Sequence, residues 1–123
     1  MISLVMTELV ACLGTGKGTW EHLRRLIQQE EWEKTILITN DFGKENFKAE
    51  KKVEFIVVNQ EKFLPELAED IKNKLKDKIQ GTEVALNIIS GSGKEHMAIL
   101  SALLKLGFAI RFVALTTEGV KEV

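Results

Sequence analysis

The chain alternates short apolar runs with amphipathic helical patterns, and this alternation constrains the fold more than any other feature of the sequence. The apolar runs predict five strands, at residues 9–13, 36–38, 55–58, 84–89 and 108–115. Apolar residues at helical spacing predict three helices, at residues 20–30, 63–79 and 94–106. Strands that alternate with helices are typical of a parallel sheet that carries helices on both faces.

Right-handed crossovers leave few ways to order five such strands in one sheet. The simplest is the Rossmann-like order 3-2-1-4-5, in which the first and fourth strands are central neighbours. Ligands of such folds bind in the crevice beyond the carboxyl ends of these two strands. With 123 residues, the chain fits one α/β domain, a three-layer sandwich with a mainly parallel five-stranded sheet.

Three local features carry more specific expectations. Thr19 is suited to be the N-cap of helix 20–30, and Gly81 is suited to cap the end of helix 63–79. The polar segment 40–52 is expected to form either a short helix or a loop.

Charge and cysteine content restrict the classes of partner and site. The formal net charge of −1 argues against direct binding to duplex DNA, but it does not exclude a local basic pocket for a small anion. Cys12 is the only cysteine, which excludes an internal disulfide and a multi-cysteine metal site. Its apolar surroundings favour a buried, inert thiol over a nucleophile. Lys and Glu dominate the charged residues and Tyr is absent, which hints at a thermophilic source.

The chain lacks the usual signals for a membrane span or for export. No segment reaches the roughly 18 apolar residues of a membrane span, and residues 1–6 lack the basic start of a secretory signal. We therefore expect a cytoplasmic protein without a membrane partner, with either Met1 or Met6 as its first residue.

Two glycine-rich loops follow the first and fourth strands, at the crevice that the topology predicts. They consist of Gly14, Thr15, Gly16, Lys17, Gly18 and Thr19, and of Ser90, Gly91, Ser92, Gly93 and Lys94. Each loop has glycines that let a ligand approach the backbone, a lysine, a hydroxyl and a following helix N-terminus that favours an anion. The pair predicts a site for a nucleotide or a phosphate, with ordinary strand–helix turns as the alternative.

Neither loop matches a standard nucleotide motif. A P-loop needs a glycine five residues before its Gly-Lys pair, where this chain has Ala11 and Ile88, and the dinucleotide fingerprint also fails in spacing. His22 and His96 are close enough to reach the crevice, but partly exposed helical histidines without a role are the favoured interpretation. No residues have the spacing of metal ligands, so no metal and no cofactor are expected.

The stretch Asn87-Ile88-Ile89-Ser90-Gly91-Ser92-Gly93-Lys94 leads into an apolar helix that contains Met97-Ala98-Ile99-Leu100. It resembles the CRISPR-associated Rossmann fold family, usually called CARF, whose members carry Thr/Ser-Gly-Gly-x-Lys/Arg after the fourth core strand. Here Ser92 splits the glycine pair. The family's other ligand loop follows strand 1, where this chain has residues 14–19, and the strand at 111–119 is also similar.

The resemblance implies a cyclic oligoadenylate, or a related nucleotide, bound across a two-fold dimer by the residues of both loops. A lone domain without the family's usual effector domain is then expected to be a ring nuclease that cleaves this antiviral messenger, a sink for it, or a non-catalytic sensor. Lys17, Lys94 and Ser92 would carry the cleavage, which needs no metal because the ribose 2′-OH attacks its own phosphate. A small subunit of a larger assembly, with a vestigial crevice, is the remaining alternative.

Helix 94–106 is apolar on more than one face, which predicts that it forms a homodimer contact. Its apolar residues are Met97, Leu100 and Leu104 on one side and Ile99, Leu103 and Leu106 on another. A helix that covers one sheet needs only one apolar stripe, so the second stripe predicts a partner surface. Deeper burial by the C-terminal tail is the alternative.

Overall fold

A computed structural model describes residues 7–123, so the expectations about residues 1–6 lie outside the described residues. Within that range one sheet contains β1 (Glu8–Cys12), β2 (Lys34–Thr39), β3 (Glu54–Val57), β4 (Glu83–Asn87), β5 (Ala109–Thr116) and β6 (Gly119–Glu122). The helices are α1 (Trp20–Gln29), α2 (Asp41–Asn46), α3 (Leu64–Leu75) and α4 (Gly93–Lys105). The strand order β3-β2-β1-β4-β5-β6 confirms the Rossmann-like α/β prediction and adds one strand to it.

Strand β1 lies at the centre of the sheet, paired in parallel with β2 on one side and with β4 on the other. Leu9 is level with Thr35 of β2 and with Ala85 of β4. Strands β3 and β5 continue the parallel pairing outward. The predicted adjacency of the first and fourth strands is therefore confirmed, and their carboxyl ends lie side by side.

Both faces of β1 are buried, because helices pack on each side of the sheet. Val10 and Cys12 belong to an apolar cluster with residues of α3 and α4. Leu9 and Ala11 belong to a second cluster with residues of α1 and with Phe47. Burial on both faces explains why this strand has a continuous apolar sequence instead of an alternating one.

A sixth strand, β6, was not among the five strands that the apolar runs predict. It pairs antiparallel with β5, so that Val113 is level with Glu122. The turn between them closes where Gly119 has a φ of 102° and the Thr116 hydroxyl donates to the Gly119 carbonyl oxygen at 2.8 Å. The strand has four residues and only Val120 is buried, which is too weak a pattern for prediction.

Helix α3 ends at Leu75 and not near residue 79, so the prediction that Gly81 caps it is wrong. After the helix, the Lys78 N–H donates to the Leu75 carbonyl oxygen in a turn. The N–H groups of Gln80 and Gly81 donate to the buried Glu8 carboxylate, at 2.9 and 2.7 Å. The start of β1 thus supplies the acceptors that another helical turn would have provided.

The other local expectations have mixed outcomes. Thr19 occupies the N-cap position of α1, but its side chain makes no capping hydrogen bond. The polar segment 40–52 contains the short helix α2, which Asn40 caps by accepting a hydrogen bond from the Gly43 N–H at 2.9 Å. None of the helices within residues 7–123 is long and apolar enough to cross a membrane.

Candidate functional site

The two glycine-rich loops meet in one cleft of about 840 Å³ at the carboxyl ends of β1 and β4. Every predicted loop residue except Lys17 and Gly93 lines this cleft. The lining also includes four residues that the sequence did not single out, which are Gln60, Glu61, Ile89 and Glu95. We call this space the loop cleft.

The floor of the loop cleft is a direct contact between the two loops. The Gly14 N–H donates to the Ser90 Oγ at 2.9 Å, and the Trp20 indole N–H donates to the Gly14 carbonyl oxygen at 2.8 Å. The Ser90 side chain is buried, and its hydrogen bond to Gly14 ties the loops together. A Cβ atom at Gly14 would lie 2.8 Å from the Gly91 Cα, so the two backbones touch where a side chain would not fit.

The second loop leads into α4 through a capping box. Ser92 Oγ accepts from the Glu95 N–H at 3.3 Å, and the Glu95 carboxylate accepts from the Ser92 N–H at 2.9 Å. The N–H groups of Gly93 and Lys94 in the first turn have no acceptor among residues 7–123. Free amides at a helix start, together with the helix dipole, form a favourable environment for an anion.

The charged side chains of the loop cleft do not make it strongly basic. In the part of the chain that the structure describes, its lining has one cation, Lys94, and two carboxylates, Glu61 and Glu95. The Lys94 ammonium donates to the Lys62 carbonyl oxygen at 3.0 Å on the surface, and Glu95 is engaged in the capping box. Attraction of an anion to this cleft must therefore come mainly from backbone N–H groups, with Lys94 as the single cationic partner.

Lys17 lies outside the lining of the loop cleft, although it belongs to the first loop. Its ammonium is 5.6 Å from the Trp20 ring centroid and 5.5 Å from that of Phe42. Both distances fit cation–π contacts. The side chain must leave these rings before it can contact a phosphate in the cleft.

Both histidines lie within hydrogen-bonding distance of backbone groups. The His96 ring nitrogen Nε2 is 2.8 Å from the Ser90 carbonyl oxygen, so this side chain supports the second loop. His22 Nε2 is 3.4 Å from the Leu115 N–H donor and 3.3 Å from the Asn87 side-chain amide. Because both neighbours are donors, Nε2 is the acceptor of a neutral imidazole here.

The other residue types that could carry chemistry are cysteine and the possible metal ligands. Cys12 is buried, as predicted, and this burial raises the pKa of its thiol far above the usual range. Within residues 7–123 no three His, Cys, Asp or Glu side chains are grouped so that they could hold a metal ion.

The pH dependence of stability should reveal the partial burial of His22 through its lowered pKa. Burial, and secondarily the charge of Arg25, lower the pKa of His22 below its ordinary value of 6.5. As the pH falls, the His22 ring therefore takes up its proton at a higher pH in the unfolded chain than in the folded protein. Stability is lost as pH falls from about 6.5 towards the lower folded pKa. In urea unfolding at about pH 7.5 and about pH 5.5, we expect His22→Gln to lose less stability than the wild type on acidification.

His96→Gln is the matched control for that measurement, since His96 is the other histidine and also lies on a helix. An acid-induced loss in His22→Gln as large as in the wild type would contradict the role of His22.

Three of the four missed lining residues had a recognisable signal. Ser92-x-x-Glu95 has the spacing of a capping box, which places Glu95 beside its Ser at a helix start. Gln60 and Glu61 follow β3, whose carboxyl end lies at the same edge of the sheet as those of β1 and β4. No protein-family model matches this chain, and no curated protein matches it in sequence.

Proposed function

We propose that this protein is a CARF-like domain that binds a cyclic oligoadenylate, or a related nucleotide, in the loop cleft and cleaves it as a ring nuclease. The observation that carries the proposal is the convergence of the two glycine-rich loops on one cleft at the switch point of the sheet. Each loop presents its backbone to the cleft, and N–H groups at the start of α4 have no acceptor among residues 7–123. These features suit a ligand that has a phosphodiester backbone.

The chemistry that this cleft supports requires little from side chains. In the ligand, a ribose 2′-oxygen forms a bond to the adjacent phosphorus as the bond from phosphorus to the 5′-oxygen breaks. The 2′-OH loses its proton and the departing 5′-oxygen gains one. The protein has to hold these atoms in line and stabilise the charge that develops on the phosphate.

Three side chains are proposed to assist this step. Lys94 has two ammonium hydrogens left beyond its bond to the Lys62 carbonyl oxygen, and they are available to a phosphate. Ser92 uses its oxygen as a helix-cap acceptor, so its hydroxyl hydrogen remains free to donate to a ligand. Lys17 would join them after leaving the two aromatic rings.

A non-catalytic sensor and a small subunit of a larger assembly are the alternatives. The sensor would use the same cleft, since binding and cleavage need the same contacts to the phosphates. A subunit with a vestigial crevice would bind no nucleotide. One incubation separates these three functions.

The test is incubation of the pure protein with cyclic tetra-adenylate, followed by chromatography of bound and free nucleotide. We expect binding and slow cleavage to linear products, with the same products when EDTA is present, because the 2′-OH attack is internal to the ligand. Intact ligand after long incubation would identify a sensor, and no binding would support the subunit. Cleavage that requires added magnesium would contradict the metal-independent mechanism.

We further propose that the ligand is bound by a homodimer that forms through α4. In α4, Ile99 and Leu103 are buried in the core, while Met97 and Leu104 are 60% and 64% exposed on the opposite side. Leu104→Glu should convert the dimer to a monomer in light scattering at micromolar concentration, because it places a charge in the proposed apolar contact. Lys105→Glu is the control at an exposed neighbouring position, and a wild-type monomer would contradict the proposal.

A further inference from the structure

A second pocket, of about 470 Å³, lies beside the loop cleft at the carboxyl ends of β2 and β3. Its lining consists of Asn40, Asp41, Phe42, Val57, Val58, Asn59, Gln60 and Glu61. Gln60 and Glu61 also line the loop cleft, so the two spaces are neighbours with a shared wall. We call the second space the side pocket.

The side pocket has a fixed polar frame. Both polar atoms of the Asn40 side chain are engaged, because its oxygen caps α2 and its amide nitrogen donates to the Gln60 side-chain oxygen at 2.9 Å. The Asn59 side-chain oxygen accepts from the Glu61 N–H, also at 2.9 Å. These bonds fix the positions of the two amide side chains that face a ligand.

Several groups of this frame remain available. The amide hydrogens of Asn59 and Gln60 and the carboxylate of Asp41 have no hydrogen-bond partner among residues 7–123. Phe42 is 37% exposed although its ring lies only 6.0 Å from that of Trp20. A pocket with two carboxylates, those of Asp41 and Glu61, two amide donors and an aromatic face is thus open to solvent.

This set of groups is complementary to a ribonucleoside. A carboxylate accepts hydrogen bonds from ribose hydroxyls, and in Rossmann-like folds the end of the second strand is where an acidic side chain can reach them. An exposed aromatic ring stacks with a base, and amide groups bond to base edges. The Lys17 ammonium lies 5.5 Å from the Phe42 ring centroid, although Lys17 lines neither space.

We infer that the side pocket is the ribonucleoside subsite of the ligand whose phosphate lies in the loop cleft. The Asp41 carboxylate accepts a hydrogen bond from the ribose 2′-OH. Phe42 stacks with the adenine ring, and the amides of Asn59 and Gln60 contact the base edge. The inference rests on the proposed function for the position of the phosphate. With this subsite, the protein distinguishes ribonucleotides from deoxyribonucleotides and also from phosphates that carry no base.

The test compares affinities for adenosine 5′-monophosphate, its 2′-deoxy analogue and ribose 5-phosphate by calorimetry. The wild type should prefer the ribonucleotide over the deoxy analogue by about tenfold, and Asp41→Ala should abolish this preference. Phe42→Ala should lower the preference for adenosine monophosphate over ribose 5-phosphate by about tenfold. Ratios of affinities are compared because the loss of the Asp41 charge by itself strengthens the binding of every anionic probe.

The matched controls are Asp77→Ala and Phe63→Ala, two exposed residues that line neither space. They should leave both ratios unchanged. Wild-type binding of cyclic tetra-adenylate with ratios that Asp41→Ala and Phe42→Ala do not alter would overturn the subsite and leave the proposed function standing. Altered ratios without binding of cyclic tetra-adenylate would support the subsite and reject the cyclic ligand. If the wild type binds none of these nucleotides, both proposals are overturned.

Discussion

Gly91→Ala is expected to lower the free energy of unfolding by about 2–5 kcal/mol. Gly91 has a φ of 101°, a conformation that is strained for a residue with a side chain. An added Cβ would also lie 2.5 Å from the buried Cys12 Sγ, which the strand holds in place. Backbone strain and overpacking therefore add at one position. Urea unfolding, followed by the fluorescence of the buried Trp20, measures the effect.

Gly14→Ala should be destabilising as well, by about 1–3 kcal/mol, since its Cβ would be 2.8 Å from the backbone of Gly91.

Gly93→Ala is the matched control in the same loop as Gly91. A Cβ there meets nothing within 4 Å, and Gly93 lies in the first turn of α4. We expect this change to stabilise the protein by about 0.5–1 kcal/mol. Equal effects at Gly91 and Gly93 would contradict the strain and the Cys12 contact at Gly91, and unchanged stability in Gly14→Ala would contradict the contact between the loops.

Lys94→Ala should weaken the binding of cyclic tetra-adenylate by roughly ten- to a hundredfold, or ~1.5–3 kcal/mol. Among the described residues 7–123, Lys94 is the only cation in the lining of the loop cleft, and it stands beside the free N–H groups at the start of α4. Its loss removes a charge-assisted hydrogen bond from a site with two carboxylates. Calorimetric titration of wild type and variant measures the change.

Lys72→Ala is the control for that titration, because Lys72 pairs with Glu69 at 3.5 Å on α3 and does not line the cleft. The bond from Lys94 to the Lys62 carbonyl oxygen is on the surface, so its loss should leave the free energy of unfolding nearly unchanged. An affinity that is the same in Lys94→Ala and in wild type would remove Lys94 from the binding site.

The sequence by itself determined the layered architecture and the position of the crevice. Residues 9–13 are apolar without interruption, which is typical of a strand that is covered on both faces. The spacing of strands and helices then restricted the topology, because crossovers are right-handed and connections are short. Both features are local in sequence, so they could be predicted before any contact was known.

Tertiary structure alone decided what each loop residue does. Gly14, Gly16, Gly91 and Gly93 are equivalent in sequence, yet only Gly14 and Gly91 occupy positions where an added Cβ would clash. Ser90 is buried against a loop 76 residues away. Such roles depend on the distance between segments that are remote in the chain, and no local pattern contains that distance.

The same reason explains the largest errors in the predicted elements. The end of α3 depends on the carboxylate of Glu8, which is 72 residues from Gln80 in the chain. Strand β6 has too few apolar residues to indicate a strand, and it forms because β5 presents an open edge for pairing. Local pattern specified the buried strands and helices, whereas contacts between distant segments specified their ends and the loop cleft.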